Sequence, residues 1–252
     1  MLITSVTNNK VKQWTKYKNK KYRDLDDRFM IEGMHLIEEA HKAKLIESII
    51  ILQGATNPYP QYEYYEVSDN VMDKLTMHVS NEKIMAICHK LDYELNINDH
   101  KVILLDGLQD PGNIGTIIRT AYSFGYDKVI LSDNSVDLYN DKLIRSTQGA
   151  MFHIPVIQND LKAIIKSLKK QNFTIYATTL TNAKPLSNVT NQGNIALIFG
   201  NEGNGMSERL KAMTTRNLYI PSRVVDGSTS ESLNVGLAAA ITISEFCRNT
   251  LK

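Results

Sequence analysis

Cysteine is scarce in this sequence, and apolar runs are short. The two cysteines, Cys88 and Cys247, lie far apart and form no CxxC or Cys/His pattern, so we expect a reducing compartment and no structural zinc. The histidines show no metal-ligand spacing either, and no metal site is predicted. No apolar run approaches the roughly 18–20 residues of a membrane span, and the first residues lack the features of a signal peptide. These absences predict a cytoplasmic protein without a membrane partner.

Charge is distributed unevenly, although the chain carries a formal net charge of only +2. Residues 1–23 contain no acidic side chain, and Trp14, Tyr17 and Tyr22 are interleaved with lysines. Val6, Lys10, Trp14 and Tyr17 recur at helical spacing, which predicts a basic helix with an apolar stripe. Such a helix offers RNA both phosphate contacts and stacking surfaces; the alternative is a solvated lysine face whose aromatic residues pack on the domain. The predicted RNA contacts in this segment are Lys10, Lys12, Lys16, Lys20, Lys21 and Arg23.

Strand-like and helix-like segments alternate in the first ninety residues. FMIEG at 29–33 predicts a strand, and MHLIEEAHKA at 34–43 predicts an amphipathic helix. The stretch 92–101 is polar and lacks periodicity, which is typical of a domain boundary. We therefore predict a small α/β domain at residues 1–95 and a second domain at residues 100–252.

The second domain repeats the alternation with longer apolar strands. A strand at 102–105, a helix that follows Asn113 and a strand at 127–131 form a βαβ unit with parallel strands. Further strands are predicted at 195–199 and 217–221, and a final helix at 232–248. The pattern predicts an α/β domain built on a parallel sheet.

Three loops leave strand ends in this domain, at residues 106–113, 200–207 and 220–234. In a parallel sheet they fall on the same edge and can surround one crevice. The second loop reads GNEGNG, and its glycines allow another molecule to approach the backbone closely. It lacks the Lys-Ser/Thr pair of a P-loop, which disfavours a nucleoside triphosphate. We predict a small-molecule site formed by the three loops.

The same three loops resemble the motifs of a known family. DPGNIGTIIRTAYSFG at 110–125, FGNEGNGMS at 199–207, and IP at 220–221 followed by SLNVGLAAAI at 232–241 look like the motifs of the SpoU (TrmH) RNA ribose 2′-O-methyltransferases. The third motif departs from the pattern, because residues 221–232 are longer than usual and Gly236 stands where serine is common. The N-terminal half is similar to the substrate-binding domain often found in front of this family.

The resemblance implies more than the residue pattern does. It implies a C-terminal parallel-sheet domain with a trefoil knot (the SPOUT fold), preceded by a small ribosomal-protein-like α/β domain that binds RNA. It also implies S-adenosylmethionine as cofactor and a homodimer formed through the C-terminal domain. By this resemblance, the cofactor-binding residues are Leu180, Gly200, Asn201, Glu202, Gly203, Ile220 and Leu233.

The resemblance gives a catalytic role to Arg119, in activating the 2′-hydroxyl or clamping the adjacent phosphate. A guanidinium stays protonated in proteins, so the clamp is the physically safer role. Asn113 and Asn234 can orient the hydroxyl or Arg119, and Ser232 can form a hydrogen bond nearby, although each could also simply cap a helix. Glu202 can hold Arg119 or the ribose, and a general-base role for it is less favoured.

The predicted reaction is methyl transfer from S-adenosylmethionine to a ribose 2′-hydroxyl in structured RNA. Ribosomal RNA is favoured over transfer RNA, by analogy with the fused N-terminal domain alone. Two alternatives stay open: a transfer RNA 2′-O-methyltransferase, and a non-catalytic RNA-binding module of ribosome assembly with a vestigial cofactor site. Binding of S-adenosylmethionine would distinguish an enzyme from such a module.

Overall fold

The computed structural model describes residues 2–77, 83–93, 99–179, 182–189, 193–222, 224–225, 228–229 and 233–248. The chain divides into two compact units. One comprises Met1–Asp92 together with Tyr139–Phe152, and the other comprises Tyr93–Leu138 together with His153–Lys252.

The helices and strands are short and alternate along the chain. The helices are α1 (Asn9–Lys16), α2 (Lys20–Asp26), α3 (Met34–Lys42), α4 (Asp69–Leu75), α5 (Pro111–Ser123), α6 (Asp141–Thr147), α7 (Leu161–Lys170), α8 (Glu208–Lys211) and α9 (Val235–Cys247). The strands of the first unit are β1 (Leu2–Ile3), β2 (Arg28–Glu32), β3 (Ile46–Leu52), β4 (Glu63–Val67) and β5 (Ile84–His89). Those of the second unit are β6 (Lys101–Asp106), β7 (Lys128–Leu131), β8 (Val156–Gln158), β9 (Thr174–Thr178), β10 (Lys184–Pro185), β11 (Ile195–Gly200), β12 (Arg216–Tyr219), β13 (Val224–Val225) and β14 (Ser228–Thr229).

The first unit is built on a mixed sheet with the strand order β1-β4-β3-β5-β2. Strand β3 is parallel to β4 and antiparallel to β5. Val11 and Trp14 of α1 lie in one apolar cluster with Val71 and Leu75 of α4 and Ile50 of β3. The apolar stripe of the basic N-terminal helix therefore faces the core, as expected for an amphipathic helix.

The second unit contains a seven-stranded sheet with the order β10-β12-β9-β11-β6-β7-β8. All of its strand pairs are parallel. The central strands β6 and β11 are apolar along nearly their whole length, which is typical of strands covered on both faces. On one face, Val102 and Leu104 of β6 pack against the apolar stripe of α7, which consists of Leu161, Ile164, Ile165 and Leu168.

The strand register brings two of the predicted loops together. Strands β6 and β11 are neighbours, and their final residues Asp106 and Gly200 are register partners. The loops that follow these strands therefore start side by side at the same edge of the sheet. Helices α5 and α9 pack against each other, which brings the start of α9 close to the first loop.

The α/β class and the parallel sheet of the second half are confirmed. The domain boundaries at 1–95 and 100–252 stay predictions, as does the trefoil knot. Tyr139–Phe152 belongs to the first unit, where it forms α6 and the 3₁₀ helix Ala150–Phe152. No pattern in the sequence predicted this placement. Among the described residues, no helix is long and apolar enough to cross a membrane, and no group of three His, Cys, Asp or Glu side chains could hold a metal ion.

Candidate active site

The first loop, residues 106–113, is held at both ends. Asp106 is buried, and its Oδ2 accepts a hydrogen bond of 2.8 Å from the backbone N–H of Ser207 in the second loop. Asp110 caps α5, because its Oδ1 accepts from the backbone N–H of Asn113 at 2.7 Å. Asp106 thus has a structural role, and the cap fixes the backbone that carries the Asn113 side chain.

The second loop, residues 200–207, is organised by Asn201. The backbones of Asn201 and Gly205 exchange two hydrogen bonds of 3.0 and 2.9 Å. The Asn201 Oδ1 accepts from the backbone N–H groups of Gly203 and Asn204, and its Nδ2 donates to the carbonyl of Gly107 at 2.8 Å. The side chain of Asn201 therefore closes its own loop and ties that loop to the first.

Gly200 is required by the fold of the second loop. A β-carbon at this position would lie 2.2 Å from the backbone nitrogen of Met206, far inside any real contact. Met206 is buried in the same apolar cluster as the inner residues of β11, so the loop cannot shift without disturbing the core. Glycine is therefore needed at position 200 for the packing of the loop backbone, whether or not a ligand approaches.

A chain of side-chain hydrogen bonds joins all three motifs. Asn234, which caps α9, donates through Nδ2 to Oδ1 of Asn113 at 2.9 Å. Asn113 in turn donates through Nδ2 to Oε1 of Glu202 at 3.1 Å. The second carboxylate oxygen, Oε2, accepts from Nδ2 of Asn201 at 3.4 Å. Three of the predicted catalytic side chains are thus in direct contact, although 121 positions separate Asn113 from Asn234.

Gly236 leaves room for the two asparagines to pair. A β-carbon at 236 would lie 3.2 Å from Oδ1 of Asn234 and 3.3 Å from Oδ1 of Asn113. Both distances are shorter than ordinary van der Waals contacts, so a side chain here would press on the amide pair. The glycine at this position therefore fits the direct Asn113–Asn234 hydrogen bond.

Arg119 lies on α5, on the exposed side of the helix. Its guanidinium forms no hydrogen bond or ion pair with any residue that the structure describes. Glu202 contacts Asn113 and Asn201, so the pairing of Glu202 with Arg119 that the sequence analysis considered is not observed. An exposed guanidinium without a protein partner remains available to an anion from outside the chain.

The predicted cofactor-binding residues fall into two groups in the part of the chain that is described. Gly200, Asn201, Glu202 and Gly203 share the second loop, whereas Ile220 follows β12 and Leu233 precedes α9. The Leu233 side chain is exposed, next to Asn234 of the polar network. Exposed backbone beside an exposed apolar side chain suits adenosine, which needs polar contacts at its edges and apolar contacts on its faces. Leu180 and Ser232 lie outside the described residues.

The lysines predicted to bind RNA are exposed, but several have partners on the protein. Lys10 donates to the hydroxyl of Tyr65 at 2.6 Å, and this hydrogen bond raises the pKa of Lys10 despite partial burial. Lys20 pairs with Asp24 at 2.6 Å. Lys12, Lys16 and Lys21 form no ion pair with any described residue, although Lys16 and Lys21 lie over the ring of Tyr22. Surface pairs of this kind are weak, so phosphate can compete for these ammonium groups.

Three side chains of the basic segment are buried rather than displayed. Trp14 and Tyr17 belong to the core of the first unit, so their rings are not displayed on the exposed face of α1. Arg23 is only 6% exposed, and its Nη1 donates to the carbonyl of Tyr17 at 2.6 Å. The prediction that Arg23 belongs to the exposed RNA-binding face is therefore corrected, because its guanidinium is held inside the unit. The alternative of aromatic residues that pack on the domain applies to Trp14 and Tyr17.

The chain matches two known domain families, in separate stretches of its length. Residues 100–244 match the SpoU rRNA Methylase family, and residues 8–86 match an MRM3-like substrate binding domain. The chain is 39% identical over 245 residues to the 23S rRNA (guanosine(2553)-2′-O)-methyltransferase RlmP of Bacillus subtilis strain 168, covering 96% of this chain and 97% of the relative. It superposes on an AdoMet-bound rRNA methyltransferase from Sinorhizobium meliloti with a TM-score of 0.88 at 25% identity, covering 100% of this chain and 99% of the other.

Proposed function

Because this chain belongs to the SpoU rRNA methylase family, we propose that it transfers a methyl group from S-adenosylmethionine to a ribose 2′-hydroxyl of 23S ribosomal RNA. The observation that carries the proposal is the hydrogen-bonded chain Asn234–Asn113–Glu202, which joins the three loops. The relative from B. subtilis matches almost end to end, which favours the large ribosomal RNA as substrate. A cytoplasmic location follows from that substrate.

The cofactor would be held by Gly200–Gly203 together with Ile220 and Leu233, and by Leu180 outside the described residues. When bound there, S-adenosylmethionine supplies a methyl group on a sulfonium centre. The chain contributes a loop of fixed shape, since Asn201 and Gly200 hold the second loop before any ligand arrives. A preformed loop loses less conformational freedom on binding.

Arg119 clamps the phosphate next to the target ribose. Its guanidinium is exposed and unpaired among the described residues, and it can grip two phosphate oxygens at once. Fixing this phosphate fixes the neighbouring sugar, which matters because transfer requires the reacting atoms at about 3–3.5 Å and in line.

Asn113, Glu202 and Asn234 orient the 2′-hydroxyl or the ribose that carries it. Both oxygens of Glu202 already accept hydrogen bonds from amides, so orientation is better supported than proton abstraction. Ser232, outside the described residues, completes this set.

Two molecules of the chain associate through the C-terminal domain in this proposal. Leu237 and Ile241 are exposed apolar side chains four residues apart on α9, and the exposed Leu233 lies four residues before Leu237, just ahead of the helix. Exposed apolar side chains in a row on a helix are costly in water and are typical of an interface.

The proposal is tested by mapping ribose methylation in cells that lack this protein. Mass spectrometry of 23S rRNA fragments should show one 2′-O-methylation lost and then restored by the wild-type gene, but not by Arg119→Ala. Calorimetry with S-adenosylmethionine is the second arm. Absence of S-adenosylmethionine binding at high micromolar concentration would favour a non-catalytic RNA-binding module. If only transfer RNA loses a methyl group in these cells, the substrate is transfer RNA and not 23S rRNA.

A further inference from the structure

A pocket of about 140 Å³ lies in the unit formed by Met1–Asp92 and Tyr139–Phe152. Tyr17, Met30, Met77 and Tyr139 provide its apolar and aromatic lining. A cavity of roughly 150 Å³ accommodates a benzene ring, so this pocket has room for one six-membered ring, such as the ring of a base that carries its hydrogen-bonding edge. Aromatic rings and methionine thioethers are favourable neighbours for the face of such a ring.

Two cationic side chains contribute to the wall. Arg23 is almost completely buried there, and its Nη1 donates to the carbonyl of Tyr17. Lys18 donates through Nζ to the carbonyls of Lys74 at 3.0 Å and Thr76 at 2.8 Å. An ammonium has three protons, so Lys18 retains one for a ligand. The cationic side of the pocket can therefore donate to a carbonyl oxygen.

An acceptor lies in the same pocket. Asp141 is paired only loosely, with its Oδ2 3.6 Å from Nη2 of Arg145, and its Oδ1 has no partner among the described residues. The neighbouring Asn140 uses Oδ1 to accept from the backbone N–H of Lys142 at 3.0 Å, which leaves its NH₂ group to donate. The pocket thus offers a carboxylate acceptor and several donors around a slot for a ring.

We propose that this pocket binds a guanine base of the RNA substrate, an inference that rests on the proposed function. Guanine is the base whose edge carries two neighbouring N–H donors beside a carbonyl acceptor. The donors match the Asp141 carboxylate, and the acceptor matches the Lys18 ammonium. Adenine, cytosine and uracil each leave the carboxylate with at most one donor.

The surroundings of the pocket point to RNA rather than to a free nucleotide as the source of that base. Lys18 and Arg23 belong to the same basic segment as the exposed Lys12, Lys16 and Lys21. Phosphates of a bound strand can contact these lysines while one base enters the pocket. The negative charge of Asp141 repels the phosphates of a bound strand, so Asp141 does not contribute to backbone binding. A role in accepting hydrogen bonds from the N–H groups of a base is favoured instead.

The decisive variant is Asp141→Asn, with Asp69→Asn as its matched control. Each aspartate is the first residue of a seven-residue helix in the same unit, and each substitution removes one negative charge. Simple electrostatics predicts tighter RNA binding by both variants. We expect Asp141→Asn instead to weaken binding to protein-free 23S rRNA about tenfold, the loss of one good base contact, with Asp69→Asn unchanged or slightly tighter. Equal affinities for the two variants would overturn the proposal.

A nucleotide titration tests the pocket without RNA or cofactor. In the ¹³C-methyl-methionine spectrum of the full chain, GMP should shift the methyl signals of Met30 and Met77 more than AMP, CMP or UMP does. Saturating GMP should also compete with RNA. Absence of a shift with every nucleotide, or GMP binding that leaves RNA affinity unchanged, contradicts the proposal. Methyl transfer without nucleotide binding would contradict this inference alone, whereas nucleotide binding without methyl transfer would contradict the proposed function alone.

Discussion

At the residue scale, Asn113 is the central member of the hydrogen-bonded chain Asn234–Asn113–Glu202. It accepts from Asn234 and donates to Glu202, so that one side chain connects the starts of two helices with the second loop. Each of these hydrogen bonds contributes about 1 kcal/mol, and their geometry fixes where the carboxylate points. The activity should therefore be sensitive to the amide and not merely to the size of the side chain.

Asn113→Asp keeps the shape of the side chain but places a carboxylate against Glu202. We expect kcat/KM for RNA methylation to fall by about tenfold to a hundredfold, because like charges at hydrogen-bond distance repel and displace Glu202. Single-turnover kinetics of this variant, of Asn234→Ala and of the double variant measure the coupling. Losses that add fully in the double variant would contradict a connected chain.

Tyr17 provides a test of the packing of the first unit. Burial, together with the hydrogen bond to Asp26, raises the pKa of Tyr17 to about 12, from an ordinary value of 10.0. Between these values the folded chain keeps a proton that the unfolded chain releases, so stability falls as the pH rises through this window. Tyr17→Phe should cost about 1 kcal/mol at pH 7, and its disadvantage should shrink between pH 10 and 12.

Urea denaturation followed by Trp14 fluorescence measures this effect, since Trp14 is the single tryptophan and is buried in the same unit. Other tyrosines titrate in both proteins, so the difference between wild type and Tyr17→Phe isolates the one phenol. If the difference in the free energy of unfolding between wild type and Tyr17→Phe stays constant up to pH 12, the raised pKa of Tyr17 is ruled out as its cause.

The residues of the site could be predicted individually, but their contacts could not. Asn113, Glu202 and Asn234 stand in recognisable motifs, and the structure brings them together. The burial of Arg23 was not predicted, because a basic residue in a lysine-rich segment looks exposed until its helix is placed. The link from Asn201 to Gly107 was also missed, since it depends on which strands are neighbours.

At the element scale, the second loop is a preformed structure whose shape depends on Gly200. Strand β11 could be predicted from five apolar residues in a row, and the loop from its glycines. The position of the loop beside residues 106–113 depends on the pairing of β11 with β6, which joins segments about ninety residues apart. Local periodicity carries no information about such pairing. For the same reason, the placement of α6 in the first unit could not be predicted.

Gly200→Ala should disrupt this loop and abolish high-affinity binding of S-adenosylmethionine. The added methyl would overlap the backbone of Met206, and overpacking of this kind costs about 1–3 kcal/mol. Gly203→Ala is the control for stability and should leave thermal unfolding unchanged, because apart from its chain neighbours the only described atom within 4 Å of its added β-carbon is Oδ1 of Asn201, at 3.6 Å. Thermal unfolding and calorimetry of both variants measure the two effects. Normal cofactor affinity in Gly200→Ala would show that the loop shape is not needed.

At the scale of the whole molecule, the proposed function involves a dimer and a knotted fold, neither of which periodicity predicts. The trefoil knot is implied by the family resemblance, whereas general topology rules would have argued against it. The proposed dimer has a local signature, because Leu237 is 57% exposed in the first turn of α9. A leucine so exposed within an apolar stripe is more typical of an interface than of a free surface.

Leu237→Glu should convert the protein to a monomer, because a carboxylate cannot be buried in an apolar interface without a partner. Leu25→Glu is the control, since Leu25 is 73% exposed on α2 in the other unit. Sedimentation equilibrium of the wild type and both variants gives the masses. A wild-type chain that sediments as a monomer, or a dimer that Leu237→Glu leaves intact, would contradict this interface.

The most direct measurement is methyl transfer in a defined system. Purified protein is incubated with protein-free 23S rRNA and S-adenosylmethionine that carries a labelled methyl group, and the RNA is digested to nucleosides for mass spectrometry. The account predicts a single 2′-O-methylated nucleoside, a rate reduced at least a hundredfold by Arg119→Ala, and an unchanged affinity for S-adenosylmethionine in that variant. Label on a base instead of a ribose, or full activity of Arg119→Ala, would contradict it.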